Sequence, residues 1–364
     1  MKLFSIPLLS ILISTTVFAN DGAYFASGNQ LIPISETKVS VKKEILTIRK
    51  VKNELIEVIV YYEFFNPEDE KTITVGFEAF SPYGDVDGHP ANGRHPYMYN
   101  FTVLNNDKIL PYKVAYVQDT AYRKDKSIQS KSLKEITEGI QAENYVSFDY
   151  VYYFDATFKK GLNIIKHTYN YKLSNSIAYN YDFKYILTAA NRWANKQIDD
   201  FTLIVDMGEF EAFNISASFF KDEKNWIING EGKTKYFPLD STLEKERAAI
   251  LFMVKKGNLI FQQKNFRPTG ELFIYSFQQY IASQVHEFSL PFSYYQEDRI
   301  EDPKNDFEKK VLRNLPFARR GYVFKSQDLQ DYYSKIEWYM PDPNYIPTLE
   351  GLTDTEKAWV GKFK

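Results

Sequence analysis

The chain has 364 residues, a formal net charge of −2, four histidines and no cysteine. Near-neutral charge gives no electrostatic reason to expect nucleic acid as a partner. The missing thiols exclude a disulfide framework, a thiol nucleophile, a cysteine-based zinc site and a cysteine-linked lipid anchor, so the chain is not a lipoprotein. The length exceeds what one core usually organises, and two or three domains are expected.

The N-terminus reads as a secretory signal peptide over residues 1–19. Lys2 supplies the positive start, Leu3 to Val17 is mostly apolar, and Val17 and Ala19 are the small residues before a cleavage site. The run is shorter than the roughly 20 residues of a membrane span, so no transmembrane segment is expected after its removal. Export without disulfides points to a bacterial periplasm or cell exterior.

From residue 20 the pattern is β. Val58 to Phe65 is a nearly continuous β-branched and aromatic run that ends at Asn66-Pro67, as expected of a central strand. In Tyr179 to Tyr185 every odd position is aromatic and every even one polar, which predicts one buried and one wet face. Residues 146–154 and 201–207 alternate in the same way. Further strands are predicted near 39–49, 72–79, 109–117, 165–173, 213–220, 248–254 and 271–277. Such frequent strands, without the long helices of a parallel α/β sheet, predict a mainly β fold of antiparallel β-sandwich units. A break at Asn191 to Lys196 would divide them into units 20–190 and 191–302. Ser127 to Glu143 departs from the β pattern, with Leu133, Ile136 and Ile140 at helical spacing.

The candidate chemistry in this region is sparse. Asp85, Asp87, His89 and His95 sit in one Gly/Pro/Asn-rich stretch. They either form an ordinary loop or converge on a divalent cation, for which carboxylate oxygens and imidazole nitrogens are suitable ligands. His167 shares a strand face with Tyr169 and Tyr171 and reads as a core or rim residue. His286 carries no pattern. Glu209 and Glu211 read as the solvated rim of a hairpin, or as a carboxylate pair of the kind that hydrolyses glycosides. Of the 28 tyrosines and 29 phenylalanines, most fall on inward strand positions. Tyr97, Tyr99, Tyr294 and Tyr295 are the rings to test for stacking on sugars. No cofactor is expected, because no phosphate-cradling glycine loop and no hydrolase motif is present.

From Pro303 the period changes to helical. Phe307, Val311, Leu312 and Leu315 share a face, with Pro316 expected to stop the helix. Ser326 is the candidate cap of a second helix bearing Leu329, Tyr332, Tyr333 and Ile336. Thr353 with Glu356 forms a capping box for a third, which presents Trp359 and Phe363 one turn apart. Between the first two lies Phe317-Ala318-Arg319-Arg320-Gly321-Tyr322-Val323-Phe324, where Gly321 permits a tight turn or a close backbone approach.

This tail resembles the YARHG domain through Ala318-Arg319, Gly321-Tyr322, Phe324, Leu329, Tyr333, Trp338-Tyr339 and Pro341. Phe317 and Arg320 stand where the name-giving motif has Tyr and His, so a role that needs that imidazole is not expected here. The resemblance implies a small extracellular module of bacterial envelope proteins over residues 303–364. Residues 20–300 resemble more loosely the DUF4424 type of secreted β-protein, through Asp21-Gly22-Ala23-Tyr24, Phe65-Asn66-Pro67 and Trp193 followed by Ile198 to Gly208. Neither family implies an activity. In the tail, Arg313, Arg319, Arg320 and Lys325 gather near aromatic rings. Either Arg319 pairs internally with Asp328 or Glu308, or Arg319 and Arg320, with Tyr322, Trp338 and Tyr339, hold an anion. The expected function is that of a secreted, non-enzymatic cell-envelope protein with an envelope glycan, anionic lipid or envelope protein as partner. The alternative is a hydrolase of envelope glycan or peptide acting between the β units.

Overall fold

A computed structural model describes residues 22–24, 28–29, 31–34, 37–51, 55–118, 128–143, 148–238, 248–278, 284–293 and 301–364. The predicted signal peptide, Tyr294 and Tyr295 lie outside them. In chain order the strands are β1 Gly22–Tyr24, β2 Gly28–Asn29, β3 Ile32–Pro33, β4 Ser40–Val51, β5 Leu55–Asn66, β6 Lys71–Ala79, β7 Tyr83–Gly84, β8 Met98–Asn105, β9 Lys108–Ile109, β10 Lys113–Val117, β11 Asp149–Phe158, β12 Gly161–Lys172, β13 Asn175–Ser176, β14 Tyr179–Ile186, β15 Ile198–Asp206, β16 Glu211–Ser216, β17 Trp226–Phe237, β18 Ala249–Phe266 and β19 Leu272–Phe277. The α-helices are α1 Leu133–Glu143, α2 Gln284–Glu287, α3 Asp306–Arg319, α4 Gln327–Tyr333 and α5 Asp354–Lys362.

The protein is mainly β with a small C-terminal helical module, the predicted class. One 12-stranded sheet runs β2-β14-β19-β16-β18-β15-β4-β5-β12-β8-β9, with β17 added on β18. A four-stranded sheet, β10-β11-β6-β3, packs against it. Phe77 of the small sheet lies 4.9 Å from Tyr169 of the large one, and Phe101 lies 4.7 Å from Tyr152. β5 is central, flanked by β4 and β12, and it ends where the Asn66 amide donates to the Asp69 and Phe158 carbonyls. Two pairings are parallel rather than antiparallel, β2–β14 and β4–β15. Through β4–β15 the strands before and after Asn191 share one sheet, and their buried side chains form one cluster from Leu31 to Ile274. Trp193 belongs to that cluster and donates its indole N–H to the Leu31 carbonyl at 3.0 Å.

Three features depart from the sequence reading. β8 carries Asn100 at φ 53 and a register shift, which break its alternation. β17 and β18 pair antiparallel and approach most closely where Gly230 faces Gly257, and a Cβ on either would collide with the opposite backbone. Two glycines in a polar strand hide it from a hydrophobic pattern. Pro316 does not stop α3, which continues to Arg319. Proline lacks the N–H that would bond the Leu312 carbonyl, and the Trp359 indole N–H takes that place at 2.7 Å. The Tyr333 hydroxyl donates to the Val311 carbonyl at 2.6 Å. Side chains of the neighbouring helices therefore hold the last turns of α3.

The helical module packs on the large sheet. Met253 of β18 is buried with Val311, Leu315, Tyr333, Trp338 and Trp359, and Ala212 and Leu251 pack beside it. Lys233 of β17 donates to the carbonyls of Glu337 and Tyr339 at 3.2 and 2.7 Å.

Candidate functional site

The arginine motif is the docking hub of the module. Gly321 has φ +92, and a Cβ there would strike the Met340 carbonyl oxygen. Its own carbonyl accepts from the Asp342 N–H at 2.7 Å. The two segments bearing the family-like residues are thus pinned side by side. Tyr339 donates its hydroxyl to the Tyr322 carbonyl at 2.6 Å, and the Trp338 indole donates to the Leu290 carbonyl. Both rings are buried, while Tyr322 is half-buried.

Arg320 makes a two-pronged contact with Glu356, at 2.7 and 2.8 Å, and donates to the Pro316 carbonyl at 2.9 Å. Arg319 lies 3.5 Å from the same carboxylate. Both guanidinium groups stack on the Phe210 ring, 5.1 and 4.8 Å from its centre. Phe210 belongs to the turn before β16 and holds a left-handed φ of 56, a conformation that costs a bulky residue about 1 kcal/mol or more. The internal partner of Arg319 is thus Glu356, rather than Asp328 or Glu308. Glu356 also closes the predicted capping box with Thr353. Burial opposes its ionisation. The Arg320 fork, the Thr353 N–H and Arg319 outweigh that and hold the carboxyl below its ordinary range. Both guanidinium groups face inward, whereas Arg313 and Lys325 are exposed.

Among the described residues, no group of three or more metal-competent side chains forms. Asp85, Asp87 and His89 are exposed, and the His89 ring meets Asp87 at 2.6 Å. His95 is buried apart from them. Its Nδ1 accepts from the Tyr97 N–H at 3.1 Å, and its Nε2 meets the Phe80 carbonyl at 3.0 Å, which fixes a neutral Nε2–H form. Burial pushes its pKa to about 3, against the pull of that carbonyl. Tyr97 is half-buried against this imidazole and Tyr99 is exposed. Glu209 and Glu211 do not share a surface. Glu209 is exposed, whereas Glu211 is buried, ion-paired with Lys50 and approached by the Tyr181 hydroxyl at 3.4 Å.

A cleft of about 300 Å³ opens between α2, α3 and α4. Phe288, Phe307 and Tyr332 give it aromatic walls, with ring centres 5.0 Å apart for Phe288–Tyr332 and 6.0 Å for Phe307–Tyr332. Glu308, Asp328 and Asp331 line it with carboxylates, and His286, Asn305 and Lys335 complete the polar lining. The Glu308 carboxylate accepts from the Lys304 N–H and the Asn305 amide at 2.7 and 2.8 Å, and His286 Nε2 lies 3.1 Å from it. Lys335 Nζ sits 4.7 Å above the Phe288 ring. Tyr332 is only 4% exposed, and its hydroxyl has no hydrogen-bond partner among the described residues. Burial and the nearby Glu308 carboxylate push its pKa up, so it stays a phenol. The cleft could not be read from sequence. His286 and Glu308 are 22 positions apart, and only the packing of two helices brings them together.

Comparison with known proteins finds its family match in the tail. A search of the curated proteins gives no match. A candidate nutrient binding protein from Legionella pneumophila is 17% identical, with 95% of this chain and all of that one (100%) aligned at a TM-score of 0.48. An aminopeptidase N family protein from Idiomarina loihiensis is 12% identical over 64% of this chain and 29% of its own, at a TM-score of 0.26. Baculovirus P35 is 12% identical over 68% of this chain and 99% of its own, at a TM-score of 0.23. Residues 293–364, which hold the arginine hub and the α3 and α4 sides of the cleft, match the YARHG domain.

Proposed function

We propose that the protein is an extracellular binding protein of the bacterial envelope, in the periplasm or on the cell exterior, and that it acts without catalysis. In this reading residues 303–364, together with α2 packed against them, form the recognition module, and the β-rich residues before them are its scaffold. The observation that carries the proposal is the cleft between α2, α3 and α4, where aromatic walls and carboxylates converge beside a buried phenol. The arginines support it by difference: turned onto Glu356 and Phe210, they hold the module on the sheet rather than face a ligand. The signal-like N-terminus supports export.

A hydrolase of envelope glycan or peptide is the second reading, favoured by the His286–Glu308 contact in the cleft. Against it, the Glu308 oxygens already accept the Lys304 N–H and the Asn305 amide, which cap α3. The test is incubation of the chain from residue 20 onward with a purified envelope fraction. Retention on the fraction, with no soluble fragments released, is the expected result. Released sugar or peptide would overturn the non-catalytic reading, and no retention would overturn binding.

A further inference from the structure

We infer that the cleft between α2, α3 and α4 takes a small organic cation, an ammonium group carried on an apolar body. This deepens the binding reading above and rests on it. Three carboxylates, Glu308, Asp328 and Asp331, line the cleft against one ammonium, that of Lys335. An anion would meet this excess of negative charge, offset only by Lys335 and His286, and is disfavoured. The walls are aromatic, and a ring face attracts a cation through its quadrupole. The cleft already shows that geometry, in Lys335 Nζ at 4.7 Å over Phe288. Phe307, 38% exposed, offers a second aromatic wall that no cation of the chain covers among the contacts described. A volume of about 300 Å³ admits one such group with a short chain or a single ring.

The same ammonium chemistry could come from a free amine or from a lysine side chain of a peptide. The full chain from residue 20 onward is therefore titrated calorimetrically with three probes: phenethylammonium, its neutral counterpart 2-phenylethanol, and an acetylated glycine-lysine-glycine peptide amide. The ammonium is expected to bind about tenfold more tightly than the alcohol. Asp331→Asn and Phe307→Ala, both at exposed positions, should each weaken it about three- to tenfold. Peptide binding tighter than that of the free amine assigns the ligand to a protein lysine, and the reverse assigns it to a small molecule. Equal affinity for amine and alcohol, binding unchanged in both variants, or no saturable binding of any charged probe would overturn the inference. Retention on envelope material that persists in such a case leaves the binding reading standing, so the two failures are distinguishable.

Discussion

The β-sandwich core and the C-terminal module are both built from aromatic rings, yet they treat the polar tips of those rings differently. In the module the tips of Tyr333, Tyr339, Trp338 and Trp359 each reach a backbone carbonyl. In the sandwich the hydroxyls of Tyr150, Tyr169 and Tyr171 are buried with no hydrogen-bond partner among the described residues. Burial pushes all three phenols up in pKa. These three tyrosines serve for ring area, which a wide strand face accepts in many orientations, although Tyr116 and Trp193 of the sandwich do bond the carbonyls of Gly93 and Leu31. The module uses it for position, because two short helices and an irregular segment need directional bonds to settle on one arrangement. Tyr332 and Tyr345 are the exceptions among the module's tyrosines, and Tyr332 forms part of the cleft.

Acid should separate the two regions most strongly. Burial pushes His95 to about 3 and His167 to about 4, each against one carbonyl contact. An unfolded imidazole titrates near 6.5. The unfolded chain therefore takes up protons first as pH falls, and the stability held by these neutral rings is present above about 6.5 and lost toward the folded values. Asp182, raised by burial to about 6, works the other way, but two imidazoles with wider shifts outweigh it. The Glu356 latch has its carboxyl depressed below 4.5, so its contribution persists to about that pH and is lost only beneath it. Urea unfolding at about pH 7 and about pH 5 should show the sandwich losing roughly 2–4 kcal/mol. An unchanged midpoint over that interval would refute the neutral-histidine account.

The next effect concerns the module alone. Arg320→Ala leaves the Glu356 carboxylate buried with the Thr353 capping bonds and, as its remaining cation, Arg319 at 3.5 Å. Removing one partner of a buried pair costs about 3 kcal/mol, reduced here by the remaining cation. The variant should lose the C-terminal helices to limited proteolysis while the sheets persist. Its stability loss between about pH 7 and about pH 5 should match that of the unmodified chain. Protease resistance equal to that of the unmodified chain would show that the latch does not hold the module.

How much of this was legible in the sequence follows the same division. The strand faces were, because period-two alternation is a local signal: Tyr181, Phe183 and Tyr185 are buried as their spacing predicts. The capping box at Thr353 and the turn at Gly321 were legible for the same reason, since each depends on a few adjacent residues. Long-range pairings were not. Nothing near Arg320 in sequence announces Glu356, 36 positions away, and nothing near Lys50 announces Glu211. Pro316 read as a stop because its missing N–H is local knowledge, whereas the indole that compensates comes from α5. The cleft failed for a third reason. Its walls are ordinary amphipathic-helix residues whose meeting is a fact of packing alone.

The smallest expected effect is the sharpest test of the contrast between the two cores. Tyr333→Phe removes a 2.6 Å bond to Val311 and leaves that carbonyl buried near the proline-interrupted end of α3. That carbonyl keeps its helical bond from the Leu315 N–H, so the loss is that of one buried hydrogen bond, about 1 kcal/mol. Tyr169→Phe removes a hydroxyl that has no hydrogen bond to lose, and relieves the penalty of burying it. Its change in stability should lie within about 0.5 kcal/mol of zero or on the stabilising side. Urea midpoints of the two variants, measured side by side, decide the matter. If Tyr169→Phe proved as costly as Tyr333→Phe, the sandwich hydroxyls would have a bonded role, and the division between rings used for area and rings used for position would fall.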